Sequence, residues 1–101
     1  MAKHTLFTST STTGDSTKYK WNGGLGTIII TGTVGTYAGT AQISADGTNY
    51  VTMKDVNGVD MSFIDEVESV FYAPSGSTIK VNNGTMTSTT LTGSLFDDKV
   101  T

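Results

Sequence analysis

The sequence predicts an all-β fold, a single-domain antiparallel β-sandwich, and three observations carry that expectation. Thr, Ser and Gly occupy 20, 10 and 12 of the 101 positions, and these residues suit strands, turns and tight backbone approaches. Turn signals recur at Asp46-Gly47, Asn57-Gly58, Pro74-Ser75-Gly76 and Asn83-Gly84, a density that belongs to sandwiches, jelly rolls and barrels. Between them, apolar and polar residues alternate with the period of half-buried strands. The length sets one domain. The 36% hydrophobic fraction, with the glycines added, approaches that of a globular chain.

Taken in order, residues 1–17 hold one apolar pair, Leu6-Phe7, in a Thr/Ser tract and read as an extended N-terminal arm, with the sandwich over 18–101. Lys18 and Lys20 flank Tyr19 as an outward strand edge. From Gly26 the pattern has period two, with Ile28, Ile30 and Val34 on one face and Thr27, Ile29, Thr31 and Thr33 on the other. Ala41, Ile43 and Ala45 share a face of the next run, and Asp46-Gly47 turns it back into residues 49–53. Residues 62–72 read in two ways. Phe63, Ile64, Val67, Val70 and Phe71 recur at helical spacing, whereas the Val, Phe and Tyr enrichment favours two strands, 59–64 and 67–73, around Asp65-Glu66. After Pro74-Ser75-Gly76, Ile79 and Val81 point inward, Asn83-Gly84 turns the chain, and residues 85–96 form a Thr-rich edge strand or a strand finished by a neighbour.

Composition excludes several function classes. There is no cysteine, so disulfides and zinc-thiolate sites are excluded. All six basic residues are Lys against nine acidic ones, a net charge of −3, and without Arg a nucleic-acid role has little electrostatic footing. Apolar runs are no longer than the three residues 28–30 and the four residues 70–73, so no segment spans a membrane, and the first residues lack the apolar core of a signal peptide, which predicts a cytoplasmic site of synthesis.

No catalytic, cofactor or metal set emerges either. His4, the one histidine, reads as a solvated terminal residue rather than a general base. Asp65, Glu66 and Glu68, like Asp97 and Asp98, read as solvated faces. Asp55-Val56-Asn57-Gly58-Val59-Asp60 places glycine at the fourth position, not the sixth, and is a turn rather than an EF-hand loop. Gly23-Gly24-Leu25-Gly26 lacks the Lys-Ser/Thr of a phosphate loop and enters a strand. Trp21, with Tyr19, Tyr37 and Tyr50, either closes the core or forms an aromatic platform for a glycan or peptide.

Trp21-Asn22-Gly23-Gly24-Leu25-Gly26-Thr27, Gly32-Thr33-Val34-Gly35, the run Ala41-Gln42-Ile43-Ser44-Ala45-Asp46-Gly47-Thr48-Asn49-Tyr50 and Pro74-Ser75-Gly76 together resemble small virion proteins of tailed bacteriophages, the jelly-roll decoration or cement proteins. The resemblance covers residues 18–96. It departs at Leu25, Tyr50 and Ala73, where that family more often has a basic residue, Trp and Leu. It implies a jelly roll and a homotrimer on the capsid exterior that bridges capsomers of the major capsid protein, with no catalysis and no cofactor. The apolar residues Leu6, Phe7 and Phe96, and Trp21, are then the candidate partner-binding residues. Two alternatives stand beside it: a carbohydrate-binding or tail-fibre domain using Trp21, and a low-copy head or tail completion component.

Overall fold

A computed structural model of the chain describes residues 3–97. Its regular elements are all strands: β1 Lys3–Thr10, β2 Gly14–Asp15, β3 Tyr19–Lys20, β4 Gly24–Thr33, β5 Thr36–Ser44, β6 Val51–Thr52, β7 Ser62–Phe63, β8 Val67–Ala73, β9 Thr78–Thr87 and β10 Thr90–Asp97. They form two antiparallel sheets. The first has the order β1-β10-β4-β8 and the second β2-β9-β5-β6, with β3 also on β9 and β7 also on β5. Counting β2 with β3, and β6 with β7, as single interrupted strands gives eight strands in the orders 1-8-3-6 and 2-7-4-5. Each strand of the first half thus pairs with its counterpart in the second half, and the resulting ribbon is wrapped once around the core. That arrangement is a jelly roll, which decides among the sandwich architectures the sequence left open.

The core follows from the alternation. Ile28 and Ile30 of β4 face inward opposite Leu95 and Gly93 of β10, and Ile79 and Val81 of β9 face them from the second sheet. Trp21 and Phe71 fill one end of the core with ring centroids 5.1 Å apart. Full burial of each large side chain contributes about 1.5–3 kcal/mol. Two glycines make this packing feasible. A Cβ on Gly26 would lie 2.5 Å from Trp21 Cη2 and 2.7 Å from Phe71 Cζ, and one on Gly93 would lie 2.3 Å from Phe7 Cε1. At the other end, where β4 crosses to β5 beside the crossing of β9 to β10, the Thr89 hydroxyl donates to the Val34 carbonyl at 2.6 Å, with the carbonyls of Thr36 and Thr87 as alternative acceptors at 3.1 Å.

Residues 62–72 are strands, β7 and β8, as their β-branched and aromatic content favours. Four other expectations are corrected. Lys3–Thr10 is extended, but it is a strand of the first sheet along β10 rather than an arm apart from it, and residues 14–15 pair with β9. Period two hides this strand because the register shifts between Thr5 and Phe7, and that bulge turns the consecutive Leu6 and Phe7 into the same core, at 2% and 8% exposure. Consequently β10 is an interior strand, flanked by β1 and β4, and not an edge. Asn83-Gly84 is no turn: β9 runs through it, and Gly84 is the extra residue of a bulge opposite Ala38 and Gly39. His4 is half-buried, stacked at 3.9 Å on Tyr19 with its Nε2 3.3 Å from Asp97 Oδ2, because β1 carries it between the sheets. Asp98 lies outside the described residues.

Candidate functional site

The four residues singled out for partner binding separate into two environments. Leu6, Phe7 and Trp21 are core. Trp21 is 1% exposed and donates its indole N–H to the carbonyl of Gly24 at 3.2 Å, so it closes the core and offers no platform. Of the three tyrosines grouped with it, Tyr19 meets Trp21 edge-on with ring centroids 6.4 Å apart. Tyr19 stacks on His4, Tyr37 lies buried between the sheets, and Tyr50 lies under the Lys80 ammonium at 4.3 Å. Phe96 alone reaches the surface. It is half-buried on the outer face of the first sheet, in register with Lys3 of β1 and Thr27 of β4.

That outer face is the larger feature. Leu25 pairs with Tyr72 and Thr27 with Val70 across β4 and β8, so Phe96, Thr27, Leu25, Val70 and Tyr72 form one band. Leu25 is 42% and Tyr72 72% exposed. Beside Val70, the main-chain N–H of Val56 donates to the Val70 carbonyl at 3.0 Å, which brings the loop after β6 against the edge of the sheet. Val51, Val56, Val59 and Ile64 are each more than half exposed there. The paired band of Phe96, Thr27, Leu25, Val70 and Tyr72 is an exposed apolar surface of the kind from which interaction sites are built. Sequence reading missed it, although β8 held the signal: Val70 and Tyr72 alternate with the buried Phe71 and Ala73, and a strand apolar on both faces is a strand meant to be covered on both.

Polar groups elsewhere serve the fold. Asp46 accepts the main-chain N–H groups of Asn49 and Thr48, each at 2.8 Å, then the Ser44 hydroxyl and the Asn49 amide, and these bonds hold its carboxyl well below the usual carboxylate range. Asp15 is lowered by the Lys80 ammonium at 2.8 Å and by the Asn82 amide. Burial pushes the Tyr37 phenol up to about 12 while it donates to Asn83 Oδ1 at 2.7 Å. Asp55 Oδ1 accepts the N–H groups of Asn57 and Val59, which is turn chemistry. Asp65 and Glu66 do likewise for Glu66 N–H and Gly32 N–H. Among the described residues there is no enclosed pocket and no group of three His, Asp or Glu side chains gathered as metal ligands. No described helix is long and apolar enough to cross a membrane.

A chain of this kind is an all-β jelly roll whose distinctive feature is a surface rather than a cleft. No family model matches it, and no curated protein is similar to it in sequence. Among solved structures, the SPBc2 prophage-derived protein YomS has the same fold. The two superpose with a TM-score of 0.79 over 94% of this chain and 90% of that one, at 7% identity. The likeness is one of fold, and it places the architecture in a prophage-derived protein.

Proposed function

We propose that this chain is a structural protein of a bacteriophage virion, a decoration or cement protein that binds the outer face of the capsid as a homotrimer and stabilises it, without catalysing a reaction. The observation that carries this reading is the jelly roll shared across nearly the whole chain with a prophage-derived protein. The resemblance of residues 18–96 to phage decoration proteins supports the capsid as the place of attachment. The exposed apolar band on the first sheet supplies a surface for a protein partner, and its Phe96 belongs to the residues first expected to make contact.

Attachment stabilises by mass action. A protein that binds only the assembled shell lowers the free energy of that shell relative to its opened form, by an amount that grows with occupancy. The partner is the major capsid protein, and repetition over the shell offsets a modest affinity at each site. Virions stripped of this protein should release DNA at a lower temperature than intact ones, and adding it back should restore the difference. Equal heat resistance with and without it would refute the cement role. Quantitative protein analysis of purified virions separates a decoration protein from a low-copy completion component, because only the former approaches the abundance of the major capsid protein.

A further inference from the structure

The exposed apolar residues and the charges are distributed unevenly around the sandwich. In a jelly roll of this order, β1 and β2-β3 form one lateral edge, while β8 and β6-β7 form the opposite one. Six of the seven large exposed hydrophobics fall within residues 51–72 at the second edge, and the seventh, Leu25, adjoins it through Tyr72. The same segment holds Asp55, Asp60, Asp65, Glu66 and Glu68 against one lysine, Lys54, which is already paired with Asp60. The first edge is the reverse. Lys3, Lys18 and Lys20 are exposed on it, with the Lys18 ammonium reaching 5.6 Å over the Tyr50 ring; its Asp15 is engaged by Lys80, and Asp97 is buried beside His4.

We propose that copies of this chain associate head to tail, the 51–72 edge of one copy docking on the β1-β3 edge of the next. The inference rests on the oligomeric reading above and assigns the surfaces that reading needs. A two-fold, self-complementary contact through the 51–72 edge would set its carboxylates against their own copies, which is repulsive. The head-to-tail arrangement brings Asp65, Glu66 and Glu68 to Lys3, Lys18 and Lys20 and covers Val51, Val56, Val59 and Ile64 in the same contact. A heterologous contact closes into a ring when its rotation permits, and three copies are the ring that the trimer requires. The apolar residues supply most of the binding and the charges set direction and register. The outer band around Leu25 and Phe96 extends beyond the edge and is left for the shell.

Sedimentation velocity on the full chain tests this. The wild type should sediment as a closed oligomer at micromolar concentration and dissociate on dilution, at a concentration that increases as salt rises. Reversing either edge alone, D65K/E68K or K18E/K20E, should raise the dissociation constant at least tenfold, and Ile64→Ser should weaken association as well. The four-site variant carrying both reversals has complementary edges again and should recover the oligomer. Near-UV circular dichroism confirms that each variant is folded. Should D65K/E68K fail to fold, I64K/E68K reverses the same edge at exposed positions. An oligomer indifferent to both reversals and to Ile64→Ser would overturn this assignment of edges and leave the trimer reading standing. A folded four-site variant that stays monomeric would also overturn it. A wild type that is monomeric both in solution and on shells would overturn both readings.

Discussion

At the scale of single residues, the fold depends on places where no side chain fits. Gly26 lies beneath the Trp21 and Phe71 rings, both buried and held from several sides. A methyl group there has to displace a ring or the strand, so Gly26→Ala should cost about 1–3 kcal/mol. Gly84, with its nearest neighbour 3.6 Å from a built Cβ, is the control, and Gly84→Ala should change the urea midpoint little. Tyr37 and Asn83 form a buried polar pair. Tyr37→Phe leaves Asn83 Oδ1 without that donor and should cost about 1–3 kcal/mol in the same measurement. Titration adds a third test. Asp46 and Asp15 are both held below their ordinary value of 3.8, so between the depressed and ordinary values the unfolded chain binds more protons than the native one. Their contribution is therefore complete above the ordinary value and is lost as pH falls through the depressed ones. Urea midpoints should drop as pH is lowered from about 4 to about 2, and more gently in Asp46→Asn; parallel curves would show that Asp46 is not among the responsible groups.

At the scale of elements, β1 decides whether the first sheet is complete. It covers the flank of β10 and puts Leu6 and Phe7 into the core. Leu6→Ala should then cost about 2–5 kcal/mol, and deletion of residues 1–10 should abolish the cooperative thermal transition seen by near-UV circular dichroism. Retention of a native spectrum by the deletion would return the segment to the status of an arm. Why this element escaped sequence reading, while β4, β5, β8 and β9 did not, is a matter of period. Ile28 and Ile30, or Ile79 and Val81, sit two apart and declare a face. Leu6 and Phe7 sit one apart and share a face only because a bulge intervenes, and a bulge has no signature in a tract of Thr and Ser. Asn83-Gly84 failed for the opposite reason, since a dipeptide that favours tight turns serves equally as an irregularity inside a long strand. The candidate surface was legible in part. Phe96 was found among apolar residues near the chain ends, but Leu25, Val70 and Tyr72 meet only through the pairing of β4 with β8 across more than forty residues, and local pattern does not carry that.

At the scale of the whole molecule, the protein puts its chemistry outside. The second sheet presents Gln42, Lys80 and Asn82 beneath the Asp15 and Tyr50 contacts, whereas the first sheet and the 51–72 edge present apolar side chains rimmed by carboxylates. A small domain has a limited core, and a protomer that leaves such a surface uncovered gains stability by covering it. If the native protomer binds its own copies and the unfolded chain does not, the apparent stability must depend on protein concentration. The thermal midpoint should therefore rise with concentration across the range in which the oligomer forms, and the rise should shrink at high salt as the lysine and carboxylate edges are screened. Either single-edge reversal, at concentrations where it is monomeric, should show a midpoint that no longer depends on concentration and that matches the dilute limit of the wild type. A wild-type midpoint constant over a hundredfold dilution that spans dissociation would mean that association contributes nothing to folding stability.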